Sequence, residues 1–301
     1  MADFYSINPK NSTTGQPFVT REGIILVPVW DSGFYEFGRT WLAIYRSQDG
    51  GLTWREVYSN LTASYGNHFF QGDREDEIYL CSGMGGGGFG GSVSYTPAKG
   101  LLLKSSDSGK SWGVCFKVDR PTAIYDGIAF GRTLLVSARE LKSIFRSEDD
   151  CENWSEIRLG GAARSVSKIG GSIIVSSDSA IFISRDDGRT WAKRNSPIRN
   201  IVLRYPTAFR DKVLMTGVGW RSLILATDLE GNRWGVAFDV TKAVPKSLMA
   251  RLAIAGDYLF VGDELKTGAL LRIDTRFLRC KHVFPYAILS HVSKLIGILK
   301  I

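Results

Sequence analysis

His68, Tyr125 or Asp126, Arg164, Arg204 and Arg251 fall at matching points of successive segments of this chain. Guanidinium groups gathered around one opening can hold a carboxylate, a phosphate or an acidic side chain in bidentate fashion. The same arginines can equally pair with local acids or stand solvated, and the alignment that relates them leaves both readings open. Carboxylates for general acid–base work are present in Asp31, Glu36 and Asp126, but nothing selects a pair at the definite separation such chemistry needs. A second group is aromatic: Trp30, Phe34, Tyr35, Phe37 and Trp41, with Arg39, crowd residues 30–41. Rigid rings beside polar groups suit sugar or protein contacts, or the segment folds over and buries its own rings. A third candidate is the glycine-rich run from Gly83, which carries Phe89 and Tyr95. Its Gly-x-Gly-x-x-Gly spacing has no dinucleotide meaning, because no strand–turn–helix surrounds it; it reads as a loop that orders on a partner. Three histidines make a poor supply of metal ligands. The four cysteines (Cys81, Cys115, Cys151 and Cys280) lie far apart in sequence, so reduced, mostly buried thiols are expected. No catalytic residue, metal or cofactor is assigned.

What positions these groups is a repeat. Ser47-Gln-Asp49-Gly-Gly51-Leu-Thr53-Trp54 lines up with Ser105 to Trp112, Ser147 to Trp154 and Ser184 to Trp191, each with its aspartate at the third place (Asp107, Asp149, Asp186). A fifth copy, Thr227-Asp228 to Trp234, carries one inserted residue, and a sixth survives as Arg272-Ile-Asp274-Thr275 without its tryptophan. The pattern is that of a hairpin. The aspartate accepts hydrogen bonds from turn N–H groups, the glycine supplies a positive φ, and the tryptophan opens the next strand as an apolar anchor. Cys151 replaces the glycine in the third copy, which predicts a differently bent turn. The aspartates step by 58, 42, 37, 42 and 46 residues, and the first step falls to 42 without the 16-residue insertion from Gly83 to Ala98. Each unit runs through two short apolar strands, a third before the motif and a fourth after its tryptophan. Such spacing fits four-stranded propeller blades.

These motifs resemble the Asp box of sialidases and related propellers, Ser/Thr-x-Asp-x-Gly-x-Thr/Ser-Trp. The resemblance implies an all-β chain, 1–301 as a single β-propeller domain, whose boxes join the third and fourth strands on the face opposite the binding site. Asp49, Trp54, Asp107, Trp112, Asp149, Trp154, Asp186, Trp191, Asp228 and Trp234 are then structural. The binding face is built from the loops between strands two and three and from those between blades. Seven blades are expected, the last incomplete and closed by Phe4–Ile7 and the apolar stretch Tyr286–Ile301; six is the alternative. A sialidase of this fold would carry a Phe-Arg-Ile-Pro-like motif in its first inner strand. Here Pro17-Phe18-Val19-Thr20-Arg21 puts valine in the arginine's place.

The net charge of +8 and pI near 9.3 favour acidic partners, but Lys and Arg are spread along the chain, which points away from nucleic acid. No run reaches the roughly 18 apolar residues of a membrane span, and no basic-then-apolar leader is visible. Folding in a cytoplasm is expected, with a virion as destination if the protein is viral. The function expected is a non-catalytic module that binds protein or glycan, as a structural component of an assembly such as a phage tail, with self-association open. The alternative is a glycan-active enzyme.

Overall fold

Short runs of β-branched and aromatic residues, broken every few residues by Gly, Asp or Ser, form antiparallel strands. The computed structural model describes residues 12–31, 42–60, 66–83, 99–242, 249–263, 269–278, 281–282 and 297–300. Their strands form six sheets in two compact units, Met1–Ala162 and Ala163–Ile301.

In the first unit, Ser12–Thr14 and Phe18–Val19 share the inner edge of Ile25–Asp31, which is followed by Leu42–Ser47 and Arg55–Asn60. The second sheet is Gly66–Gln71, Ile78–Ser82, Lys99–Ser105 and Gly113–Pro121, and the third is Ile124–Phe130, Thr133–Ala138, Ser143–Ser147 and Ser155–Arg158. In the second unit, the fourth sheet is Ser165–Ile169, Ser172–Ser176, Ala180–Ser184 and Ala192–Asn195. The fifth comprises Ile201–Phe209, Lys212–Gly219, Ser222–Asp228 and Trp234–Asp239, with Lys281–His282 added at its edge. The sixth begins with Met249–Ala255, Tyr258–Asp263 and Ala269–Asp274.

Middle strands such as Ser172–Ser176 and Ala180–Ser184 are buried along their whole length, while the outer Ala192–Asn195 is largely exposed. The core therefore lies between consecutive sheets. Leu26, Ile44, Phe69 and Leu80 fill the space between the first and second; Ile174, Ile181, Leu203 and Met215 do so between the fourth and fifth. Within each unit the first strands of consecutive sheets lie against one another.

The boxes close the turns between third and fourth strands, with one repeated set of bonds. In the first, the Ser47 hydroxyl donates to Asp49 (2.7 Å) and accepts from the Gly51 N–H (2.9 Å). Asp49 also accepts from the Thr53 N–H (2.9 Å) and hydroxyl (2.5 Å), and the Trp54 indole donates to the Gly51 carbonyl (2.9 Å). The same pattern recurs around Asp107, Asp149 and Asp186, with the Asn153 side-chain amide in the hydroxyl's place at Asp149. Despite its inserted residue, the fifth turn keeps the Asn232 N–H bond to Asp228 (2.8 Å) and the Trp234 indole bond to Gly231 (2.9 Å).

Two expectations change. First, Cys115 and Cys151 form a disulfide (S–S 2.04 Å) instead of standing as reduced thiols. They are 36 residues apart, which hides the pair in the sequence, but they lie on the outer strand of the second sheet and in the third box. Cys151 takes the slot of the missing glycine and adopts its left-handed backbone (φ 82°), so the box keeps its bonds around a non-glycine residue.

Second, the stretch read as inner strands of a seventh blade ends as the outer strand of the sixth. Gly297–Lys300 pairs with Ala269–Asp274, Ile298 opposite Leu271. The degenerate sixth box explains it. Asp274 caps the short 3-10 helix Thr275–Phe277 by accepting from the Arg276 N–H (2.9 Å). The chain thus leaves the sheet without a hairpin, and a later segment fills the outer place. Residues 4–7 and 283–296 lie outside the described residues.

Candidate functional site

The inner strands place the predicted site residues, and three of them are deformed in the same way. Each carries one extra residue against its partner: between Ile124 and Gly127, between Arg204 and Thr207, and between Met249 and Leu252. A related slip lies between Gly66 and His68. Bulges bend a strand and re-aim its side chains, and they cluster next to binding sites. They also correct the register of the sequence alignment. Asp126, Pro206 and Arg251 are structurally equivalent, and Arg204 stands two places earlier, matching Ile124 and Met249.

In the first unit, His68 Nδ1 lies 2.6 Å from an Asp126 carboxylate oxygen. Asp126 is 1% exposed, and accepts from the Gly127 N–H (3.0 Å). Its neighbour Tyr125 donates to Glu140 at 2.7 Å, and that carboxylate also takes the Thr122 hydroxyl and the Ala123 N–H. Burial first, and then the Glu140 carboxylate, pushes the Tyr125 phenol up to about 12. Asp126 and Glu140 are thus both held by partners in their own surroundings. Trp30 packs against the core cluster of Leu26, Leu42 and Phe69. Its ring packs close against Gly15, where a Cβ would fall 2.6 Å from the indole. Trp30 is half-buried there. Phe34, Tyr35, Phe37, Arg39, Phe89 and Tyr95 lie outside the described residues. Val19 ends the broken inner strand beside the Thr20–Ile24 turn, away from that strand's start.

In the second unit, Arg164 precedes the inner strand of the fourth sheet and pairs with Asp178 (2.5–2.6 Å) in the turn between its second and third strands. On the fifth sheet, Tyr205 occupies the bulge with a left-handed backbone (φ 54°), a conformation non-glycine residues rarely take. Its ring lies under the guanidinium of Arg251 from the sixth sheet, 4.8 Å from the centroid. Arg204 stands beside it, its carbonyl bonded to the Thr216 hydroxyl (3.3 Å). The stack joins the fifth and sixth sheets through the Arg251 guanidinium and the Tyr205 ring.

One aromatic escaped the sequence reading. Of eight tryptophans, five belong to boxes and two flank the first loop. The eighth, Trp220, sits in the turn between strands two and three of the fifth sheet and is 71% exposed. Its isolation from the box spacing was the available signal.

Among the described residues no group of three or more His, Cys, Asp or Glu side chains could hold a metal ion, and no helix is long and apolar enough to cross a membrane.

No family model matches the chain, and no curated protein matches it. Solved structures do. YCF48 bound to D1 peptide is similar at a TM-score of 0.55 and 18% identity, over 79% of this chain and 76% of that one. Sqt1 of Saccharomyces cerevisiae gives 0.56 at 10% identity over 87% and 81%. The GH74 xyloglucanase from Xanthomonas campestris gives 0.58 at 14% identity over 82% of this chain but 43% of the enzyme. Identities this low speak for the fold alone: an all-β propeller of four-stranded blades.

Proposed function

We propose that the chain is a non-catalytic propeller that binds a protein partner within a larger assembly. The observation that carries this reading is the Arg251–Tyr205 stack on the bulged inner strands of the second unit, with Arg204 beside it. Guanidinium and aromatic groups are the side chains that dominate protein interfaces, and here the two stack from strands that each carry a bulge. One structural neighbour, YCF48, has a peptide bound, which supports a protein as partner. Kinship with the Asp-box propellers is also proposed, on the strength of the repeats and their shared turn bonds.

The glycan-active alternative would need a pair of carboxylates free to act. Among the described residues Asp126 is instead buried against His68, Glu140 is tied to Tyr125, and Asp178 to Arg164, while Glu36 lies outside them. This favours binding over hydrolysis.

The test is the native mass of the protein in its source material, by size exclusion with light scattering, for the natural chain and for Arg204→Glu/Arg251→Glu. Binding in an assembly, a virus particle included, gives co-elution with defined proteins that the double variant loses. A free chain of 33.3 kDa that cleaves a glycan would overturn the reading.

A further inference from the structure

We propose that the turn carrying Trp220 is a preformed anchor for an acidic protein segment, a second contact point on the sheet that carries Tyr205 of the arginine–tyrosine stack. This rests on the protein-binding reading above and adds the chemistry of the partner. Trp220 is the most exposed large hydrophobic side chain among the described residues, and the turn holding it is braced on three sides. The Arg221 guanidinium covers one face of the indole, 4.3 Å from the ring centroid. Arg221 is held in turn by Asp239 at 3.7 Å. Asp239 accepts from the Thr241 N–H (3.1 Å), and the Thr241 hydroxyl accepts from the Ser222 N–H (2.8 Å), tying the turn to the strand end that follows it. On the other side Gly219 lets the chain before the first strand come close: a Cβ there would stand 2.4 Å from the Asn200 carbonyl oxygen. The exposed Arg199 precedes Asn200 in the chain.

The result is an indole with Arg221 on one face and the other exposed, one residue from the Gly219–Asn200 contact that Arg199 precedes. The acid that steadies Arg221 is largely buried, its side chain 17% exposed. An occupant with carboxylates and an apolar side chain complements this surface, and the chain's charge of +8 speeds its approach. Because the turn is already ordered, little conformational freedom is lost on binding.

The test uses the full chain labelled with 5-fluorotryptophan, with the Trp220 resonance identified by its loss in Trp220→Phe. The probes are a peptide of glutamates around a central leucine and a hyaluronan oligosaccharide. The expected result is a saturable shift of the Trp220 resonance with the peptide, weakened about tenfold or more by Trp220→Ala and by Arg221→Glu. Both variants keep the far-ultraviolet circular dichroism of the parent, since the altered side chains are at the surface. A shift with the oligosaccharide and not the peptide overturns the proposal in favour of a glycan; no shift with either also overturns it. Peptide binding that survives both variants but is lost in Arg204→Glu/Arg251→Glu overturns the anchor and leaves the protein-binding reading standing.

Discussion

The box aspartates are held ionised by donors from their own turns. For Asp49 the Thr53 hydroxyl and N–H come first, and for Asp149 the Asn153 side chain and N–H; each carboxyl is lowered to about 2. Asp107 is lowered as well, burial opposing but its Ser111 and Ser105 bonds prevailing. A carboxyl that is more acidic folded than unfolded lends stability above its unfolded pKa of about 4 and withdraws it as pH falls through the folded value. The melting temperature should therefore hold down to about pH 4 and drop between there and pH 2. Asp49→Asn and Asp149→Asn should flatten that drop, which calorimetry against pH would reveal. This turn chemistry was legible in the sequence because all its partners lie within four residues. The pairing of His68 with Asp126 was not, since it joins two sheets through bulges that shift the register.

At the scale of strands and sheets, the regular hairpins followed from the sequence pattern, and two pairings between distant elements did not. Cys115 and Cys151 belong to different repeats, so no spacing rule joins them. Their bridge closes a loop of 36 residues, for which chain entropy predicts about 3–4 kcal/mol of stabilisation. Denaturant unfolding with and without a reductant should show that loss in the natural chain and no reductant effect in Cys115→Ser. A thiol assay on the unfolded, unreduced protein should count two cysteines fewer than after reduction. The buried Ile174, on a middle strand flanked by sheet on both sides, should cost about 2–5 kcal/mol as Ile174→Ala. Loss of Gly297–Lys300 would bare the edge of Ala269–Asp274, and an unpaired edge invites pairing with another chain. A chain cut before residue 297 should therefore self-associate more than the full chain in size exclusion.

For the molecule as a whole, the charge of +8 acts over the range of the Debye length, about 10 Å at 0.1 M salt. Attachment to an acidic partner should weaken between about 50 and 200 mM salt, mainly through a slower on-rate, measurable by stopped-flow mixing. The propeller class was readable from the recurring aspartates because each blade repeats one local device. The partner was not, because propellers lend one scaffold to many functions and the side chains that could tell them apart sit in the turns.

The late arrival of Gly297–Lys300 has a kinetic side. The second, third and fourth sheets are each built from four strands taken in chain order, so their contacts are mostly between sequence neighbours, and topologies of that kind fold fast. The sixth must wait while the chain passes through residues 275–296 and pairs at the edge of the fifth on the way. Closing that longer loop carries an entropic delay that the others escape. In pulse-labelled hydrogen exchange, the amides of Ala269–Asp274 that bond to this strand should gain protection last, making the sixth sheet the clock of the refolding reaction.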